Sequence, residues 1–110
     1  MIPENANPSP MDDFDEEIKM MLLAEFYKEI QTCYSEIKNA IDAGDITLAR
    51  RVAHTLKGNS RLFGKESLRN AAADVEHHLV EGKNTITETH LSVLETELNE
   101  VLNDLGKIFT

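Results

Sequence analysis

Apolar residues recur at steps of three and four along most of this chain, and no stretch alternates with period two for long enough to form a strand. Phe14, Ile18, Met21/Leu22, Phe26, Ile30, Cys33/Tyr34, Ile37 and Ala40/Ile41 make one long helical pattern that begins near Asp12. Asp12, Asp13, Asp15, Glu16 and Glu17 crowd its start, where negative charge suits the helix dipole. Met20 to Leu23 are consecutive apolar residues, which predicts a bend near Lys19–Leu23 and a packing junction there. Ala43-Gly44-Asp45 is a boundary: Gly44 suits the left-handed position after a helix, and Asp45 the next N-cap. A second helix follows to about Leu62 and is closed by Gly64. A third runs from about Glu66 to Glu81, with Leu68, Ala72, Val75 and Leu79 as its buried line, and ends at Gly82. Thr85-Ile86-Thr87-Glu88 has capping-box spacing from Thr85 to Glu88. The last helix carries Leu91, Leu94, Leu98, Val101, Leu105 and Ile108, a narrow bundle-type seam.

Helices joined by short connections pack antiparallel. The pattern therefore predicts an all-α protein: an up-and-down antiparallel four-helix bundle with an N-terminal helical extension, over residues 12–110. Residues 1–11 hold all three prolines and little that could be buried, and read as a disordered tail.

Composition narrows the function classes. A chain of 110 residues forms one domain and buries a core without staples. It has no apolar run of bilayer length and no basic segment leading into an apolar leader. The single cysteine, Cys33, excludes an intrachain disulfide, fits a reducing cytoplasm and reads as a small core residue. A net charge of −9 argues against general nucleic-acid binding.

The cations, however, are not spread evenly. Six of the 11 (Arg50, Arg51, Lys57, Arg61, Lys65 and Arg69) fall within twenty residues that contain one acid, Glu66. On a wheel at about 100° per residue, Leu48, Ala49, Val52, Leu56 and Phe63 form the core stripe of this segment. His54 lies nearly opposite the stripe, with Arg50, Lys57, Gly58 and Arg61 on its own side. A solvent-facing imidazole ringed by cations suggests a site for an anionic group.

The run His54-Thr55-Leu56-Lys57-Gly58-Asn59-Ser60, followed by Gly64, resembles the signature of histidine-containing phosphotransfer (HPt) domains, and the likeness extends over about Leu23 to Leu105. Asn59 departs from the pattern, which has a small residue there. The resemblance implies a phosphorelay protein that accepts a phosphoryl group on His54 from a phospho-aspartate receiver domain and passes it to another receiver. It implies that Lys57 lies beside the phosphoryl oxygens and that Gly58 keeps the receiver's approach clear. Arg50 and Arg61 would offset phosphate charge or steer an acidic partner. Glu76, 22 residues after His54, matches a Glu that in chemotaxis-kinase phosphotransfer domains accepts a hydrogen bond from the ring's Nδ1–H. The wheel makes that reach long. Mg²⁺ and the acidic pocket would belong to the receiver, so no cofactor is expected on this chain. It carries no nucleotide loop or kinase motif, so self-phosphorylation from ATP is not expected.

Partners would be the receiver of a response regulator or of a hybrid histidine kinase, with no nucleic acid and no membrane. The initial Met and nearby prolines suggest a free-standing protein. A monomer is the expected state, and the cytoplasm, as Cys33 indicates, the expected compartment. Two other readings are a docking module that binds receivers without carrying phosphate and a plain dimerisation bundle. The intact His-x-Leu-Lys-Gly run argues against the former, and the lack of a clear outer apolar stripe against the latter. His77, His78 and His90 read as surface residues: neighbours on a helix point about 100° apart and share a metal poorly.

Overall fold

Asp15 starts the first helix: its carboxylate accepts a hydrogen bond from the Ile18 N–H at 2.9 Å, ahead of Glu16 and Glu17 in the first turn. The computed structural model describes residues 14–109, so the tail expected at residues 1–11 lies outside the described residues. Helix α1 (Glu16–Ile30) is continuous through Lys19–Leu23, where a bend was expected. The break falls instead at Gln31 and Thr32, before α2 (Cys33–Asp42). The Thr32 hydroxyl lies 2.8 Å from Glu36 Oε1 and 3.3 Å from the Glu29 carbonyl, and donates to one of these acceptors. A hydroxyl bonded locally competes with the helical ladder. Of Met20 to Leu23, expected as a packing junction, Leu23 packs against the core, while Met20, Met21 and Leu22 are exposed.

Gly44 and Gly64 end α2 and α3 (Ile46–Leu62) in the same way, at φ +78° and +69°. At each, the glycine N–H and the following N–H bond back into the last turn, to Ile41 and Ala40 and to Arg61 and Ser60. Asp45 then caps α3 by accepting from the Leu48 N–H at 3.1 Å. Helix α4 (Glu66–His77) stops four residues short of the expected Glu81 and gives way to a 3₁₀ turn, Val80–Gly82. Helix α5 (Glu88–Phe109) is capped by Thr87 rather than Thr85. The Thr87 hydroxyl accepts from the His90 N–H at 3.4 Å, and His90 Nδ1 accepts from the Thr87 N–H at 3.0 Å. This is a capping box with His in the place of Glu. Thr85 instead donates its hydroxyl to the His78 carbonyl at 3.1 Å.

Helices α2 to α5 form the four-helix bundle, with α1 as the N-terminal extension. Ile37, Leu56, Leu68, Val75, Leu79, Leu94 and Leu98 fill its centre. Each such side chain contributes about 1.5–3 kcal/mol by leaving water. On α5 the expected line holds from Leu94 to Leu105, but Ile108 is 53% exposed. Helix α1 joins the core through Phe26, stacked on Phe63 at 4.8 Å, and through Tyr27, stacked on Phe109 at 5.3 Å.

Candidate functional site

The buried residues of α3 are Ala49, Ala53, Leu56 and Ser60, and Leu48, expected in the stripe, is exposed. At about 100° per residue this turns the buried face about 50° toward His54. Ala53 and Ser60 are small, so an apolar pattern underweights them. Helices α3 and α4 make the most extensive contact in the bundle and both bury alanines, including Ala71 and Ala72 of α4. Small side chains let the two backbones approach. The reach from His54 to α4, long on the expected wheel, is short in the structure.

Glu76 stands on the shoulder of α4 and bridges the two motif residues of α3. Its Oε2 accepts the His54 Nδ1–H at 2.5 Å, and its Oε1 accepts from Lys57 Nζ at 2.6 Å. The Glu76 side chain is 12% exposed, that of Lys57 33% and that of His54 66%. Burial alone pushes the Glu76 carboxyl up. The hydrogen bonds from Lys57 and His54, and the charges behind them, outweigh that and hold it below the usual carboxylate range. A carboxylate fixed on Nδ1–H selects the tautomer whose Nε2 lone pair is free. The site therefore presents a nucleophilic nitrogen on an exposed ring.

Gly58 is exposed one turn beyond His54, and nothing lies within 4 Å of the place a Cβ would occupy. Arg50 is exposed and lines the groove that holds Thr47, Arg51, His54 and Glu76. Sequence reasoning counted Arg51 in the basic island but placed neither it nor Thr47 at the site, although their spacing (three and seven residues before His54) puts them on its side of α3. Arg61 is exposed two turns after His54. Arg50, Arg51 and Arg61 have no ion-pair partner among the described residues. Asn59, the departure from the motif, donates its amide to Glu29 Oε1 at 2.9 Å and so ties α3 to α1.

The remaining histidines lie together at the α4–α5 connection. The rings of His78 and His90 stack at 4.1 Å, and His77 meets His78 edge-on at 5.3 Å. His78 and His90 are half-buried and structural rather than plain surface residues. Among the described residues no group of three or more His, Cys, Asp or Glu is placed to hold a metal ion, and no helix is long and apolar enough to cross a membrane.

The family model described as Hpt domain matches residues 21–104. No curated protein and no solved structure matches the chain.

Proposed function

From the premise that this chain belongs to the Hpt domain family, we propose that it carries a phosphoryl group on His54 between receiver domains of a two-component phosphorelay. Membership supports a histidine phosphotransfer role in two-component signalling and interaction with receiver domains or kinases as a class. The single observation that carries the finer reading is the bond from His54 Nδ1–H to Glu76, which leaves Nε2 free on an exposed ring.

In this reading Nε2 attacks the phosphorus of a receiver's phospho-aspartate in line. The N–P bond forms as the P–O bond to the aspartate breaks, and the aspartate leaves as a carboxylate. A second receiver's aspartate reverses the step. Glu76 holds the ring and offsets the positive charge that grows on it. Lys57, already beside Glu76, is one turn from the phosphoryl oxygens and partly neutralises them. Arg50 and Arg61 add positive field, and Gly58 leaves the approach open. The Mg²⁺ and acidic pocket belong to the receiver, and this chain does not phosphorylate itself from ATP. The carrier is monomeric and cytoplasmic.

The test is to mix the protein, and His54→Gln, with a panel of receiver domains carrying labelled phosphate and follow acid-labile label. Transfer to the native protein alone supports the reading. Label on both proteins overturns His54 as the acceptor. Binding without transfer from every receiver overturns the carrier role in favour of docking alone.

A further inference from the structure

The groove that His54 lines runs along the N-terminal half of α3 and holds Thr47, Arg50, Arg51 and Glu76. A second groove, on the flank of Glu76, holds Arg50, Lys57 and His77 but does not include His54. Helix geometry gives the reason. Each Cα–Cβ bond tilts toward the helix N-terminus, so a side chain covers the turn before its own Cα. The His54 ring thus leans over the turn of Arg50 and Arg51. A group added at Nε2 extends farther that way, toward Thr47. Lys57 starts a turn later, and its ammonium is engaged by Glu76 Oε1 at 2.6 Å.

Arg51 stands at a boundary. On its other side it lines a groove with Glu29, Cys33 and Glu36. Neither glutamate forms an ion pair with it among the described residues. Each has a neutral partner instead: Glu29 Oε1 accepts the Asn59 amide at 2.9 Å, and Glu36 Oε1 lies 2.8 Å from the Thr32 hydroxyl. The Arg51 guanidinium, exposed and unpaired, is therefore free to turn toward His54.

We propose that the phosphoryl group carried on His54 Nε2 lies in the groove of Thr47, Arg50 and Arg51, held by the Arg51 guanidinium with the Thr47 hydroxyl as a further donor. This placement rests on the phosphocarrier reading and gives the phosphoryl group binding residues of its own on this chain. A planar guanidinium fits two phosphoryl oxygens at once, which an ammonium does not. A phosphoryl dianion also carries more charge than the single carboxylate of Glu29 or Glu36, so it wins Arg51 from the acidic side. Arg50, at the mouth of both grooves, adds a second cation. Lys57 contributes field from its place beside Glu76.

The experiment charges the protein with phosphoramidate, a small donor that needs no receiver: Nε2 takes the phosphoryl group and ammonia leaves. Phosphorus NMR then follows the phosphohistidine signal against pH in the native protein, Arg51→Ala, Arg51→Lys, Thr47→Val and Lys57→Ala. The signal that His54→Gln lacks is the one followed, and circular dichroism checks that each variant folds. A cation in contact favours the dianion, so removing it moves the last ionisation of the phosphoryl group to higher pH. The expected result is an upward move in Arg51→Ala, part of it recovered in Arg51→Lys, and smaller moves in Thr47→Val and Lys57→Ala. With a receiver found by the transfer panel, Arg51→Ala should also shift the transfer equilibrium toward the receiver by about 3–10-fold. A pH profile that Arg51→Ala leaves at its native position overturns the placement and leaves the carrier role intact. A move in Lys57→Ala as large as that in Arg51→Ala, or larger, puts the phosphoryl group on the Lys57 side and overturns it too. Failure of phosphoramidate and of every receiver to charge His54 overturns the carrier reading, and the placement with it.

Discussion

His54 Nδ1 lies 2.5 Å from Oε2 of Glu76, a residue one helix away and 22 positions later. This bond, with the one from Lys57 to the other oxygen, makes a single carboxylate the organiser of the site. Glu76→Gln keeps an acceptor for the ring but loses the ion pair with Lys57. Glu76→Ala loses both. Transfer to His54 should fall about 10-fold or more in Glu76→Ala and by less in Glu76→Gln, as expected when a group that orients the reacting atom is removed. Nitrogen NMR of the imidazole checks the cause: the native ring should be protonated at Nδ1, and the Ala variant should show a tautomer mixture.

The same carboxylate predicts how stability depends on pH. Burial raises its pKa, but Lys57 and His54 outweigh burial, so the folded value lies below the unfolded one. A group depressed in this way stabilises the fold above its unfolded pKa. That contribution is lost as pH falls from about 4.5 through the folded value. Denaturant unfolding of native protein and Glu76→Gln should therefore give a stability difference that shrinks steadily below about pH 4.5. A difference that stays constant down to acid unfolding would mean that Glu76 acts through shape alone.

Much of this arrangement was legible before the structure. Gly44 and Gly64 have positive φ and close helices where the pattern put them, whereas Gly82, also at positive φ, ends a 3₁₀ turn after α4 has already stopped at His77. What was missed depends on small or polar side chains. The first helix breaks at Gln31 and Thr32, where the Thr32 hydroxyl bonds locally, and no hydrophobic period registers such a polar position. Ala53 and Ser60 turn the buried face of α3 toward His54, and their size hides them from a stripe drawn through larger residues. The α5 cap was assigned to Thr85 because a Glu follows three residues later. His90 does that work from Thr87, a substitution legible only once the imidazole is seen accepting a backbone N–H.

Gly58 separates stability from function. It sits inside a helix with open space where a Cβ would go. Gly58→Ala should raise stability by about 1 kcal/mol, the usual helix-interior difference between the two residues. It should nonetheless slow transfer, and Gly58→Leu should abolish it, because the added side chain stands where a receiver approaches Nε2. Thermal melts and transfer rates on the same samples measure both effects.

Cys33 should be a reporter of opening. It is 1% exposed. Its thiol is pushed up to about 12, first by burial and then by Glu29 and Glu36. The thiolate is the reactive form, so a disulfide reagent at pH 8 should modify the folded protein only as fast as the core opens. Labelling should accelerate through the unfolding transition in denaturant and should not respond to phosphate on His54.

Glu81 is the only non-glycine residue with positive φ among the described residues, at +56°. A side chain there meets its own backbone, at a cost of about 1–2 kcal/mol. Glycine avoids that cost but gains freedom in the unfolded chain, so Glu81→Gly should stabilise by the remainder, about 0.5–1 kcal/mol. The turn it closes begins at Val80, which lines the groove holding Arg50, Lys57 and Glu76. If the turn merely closes the bundle, the variant melts higher and transfers phosphate at the native rate. If the strain at Glu81 sets the position of α4 and hence of Glu76, the variant transfers more slowly despite its greater stability. The exposed position of Glu81 and the buried anchors that hold α4, Leu68, Ala72 and Val75, favour the first outcome. Equal transfer with a raised melting temperature is the expected result.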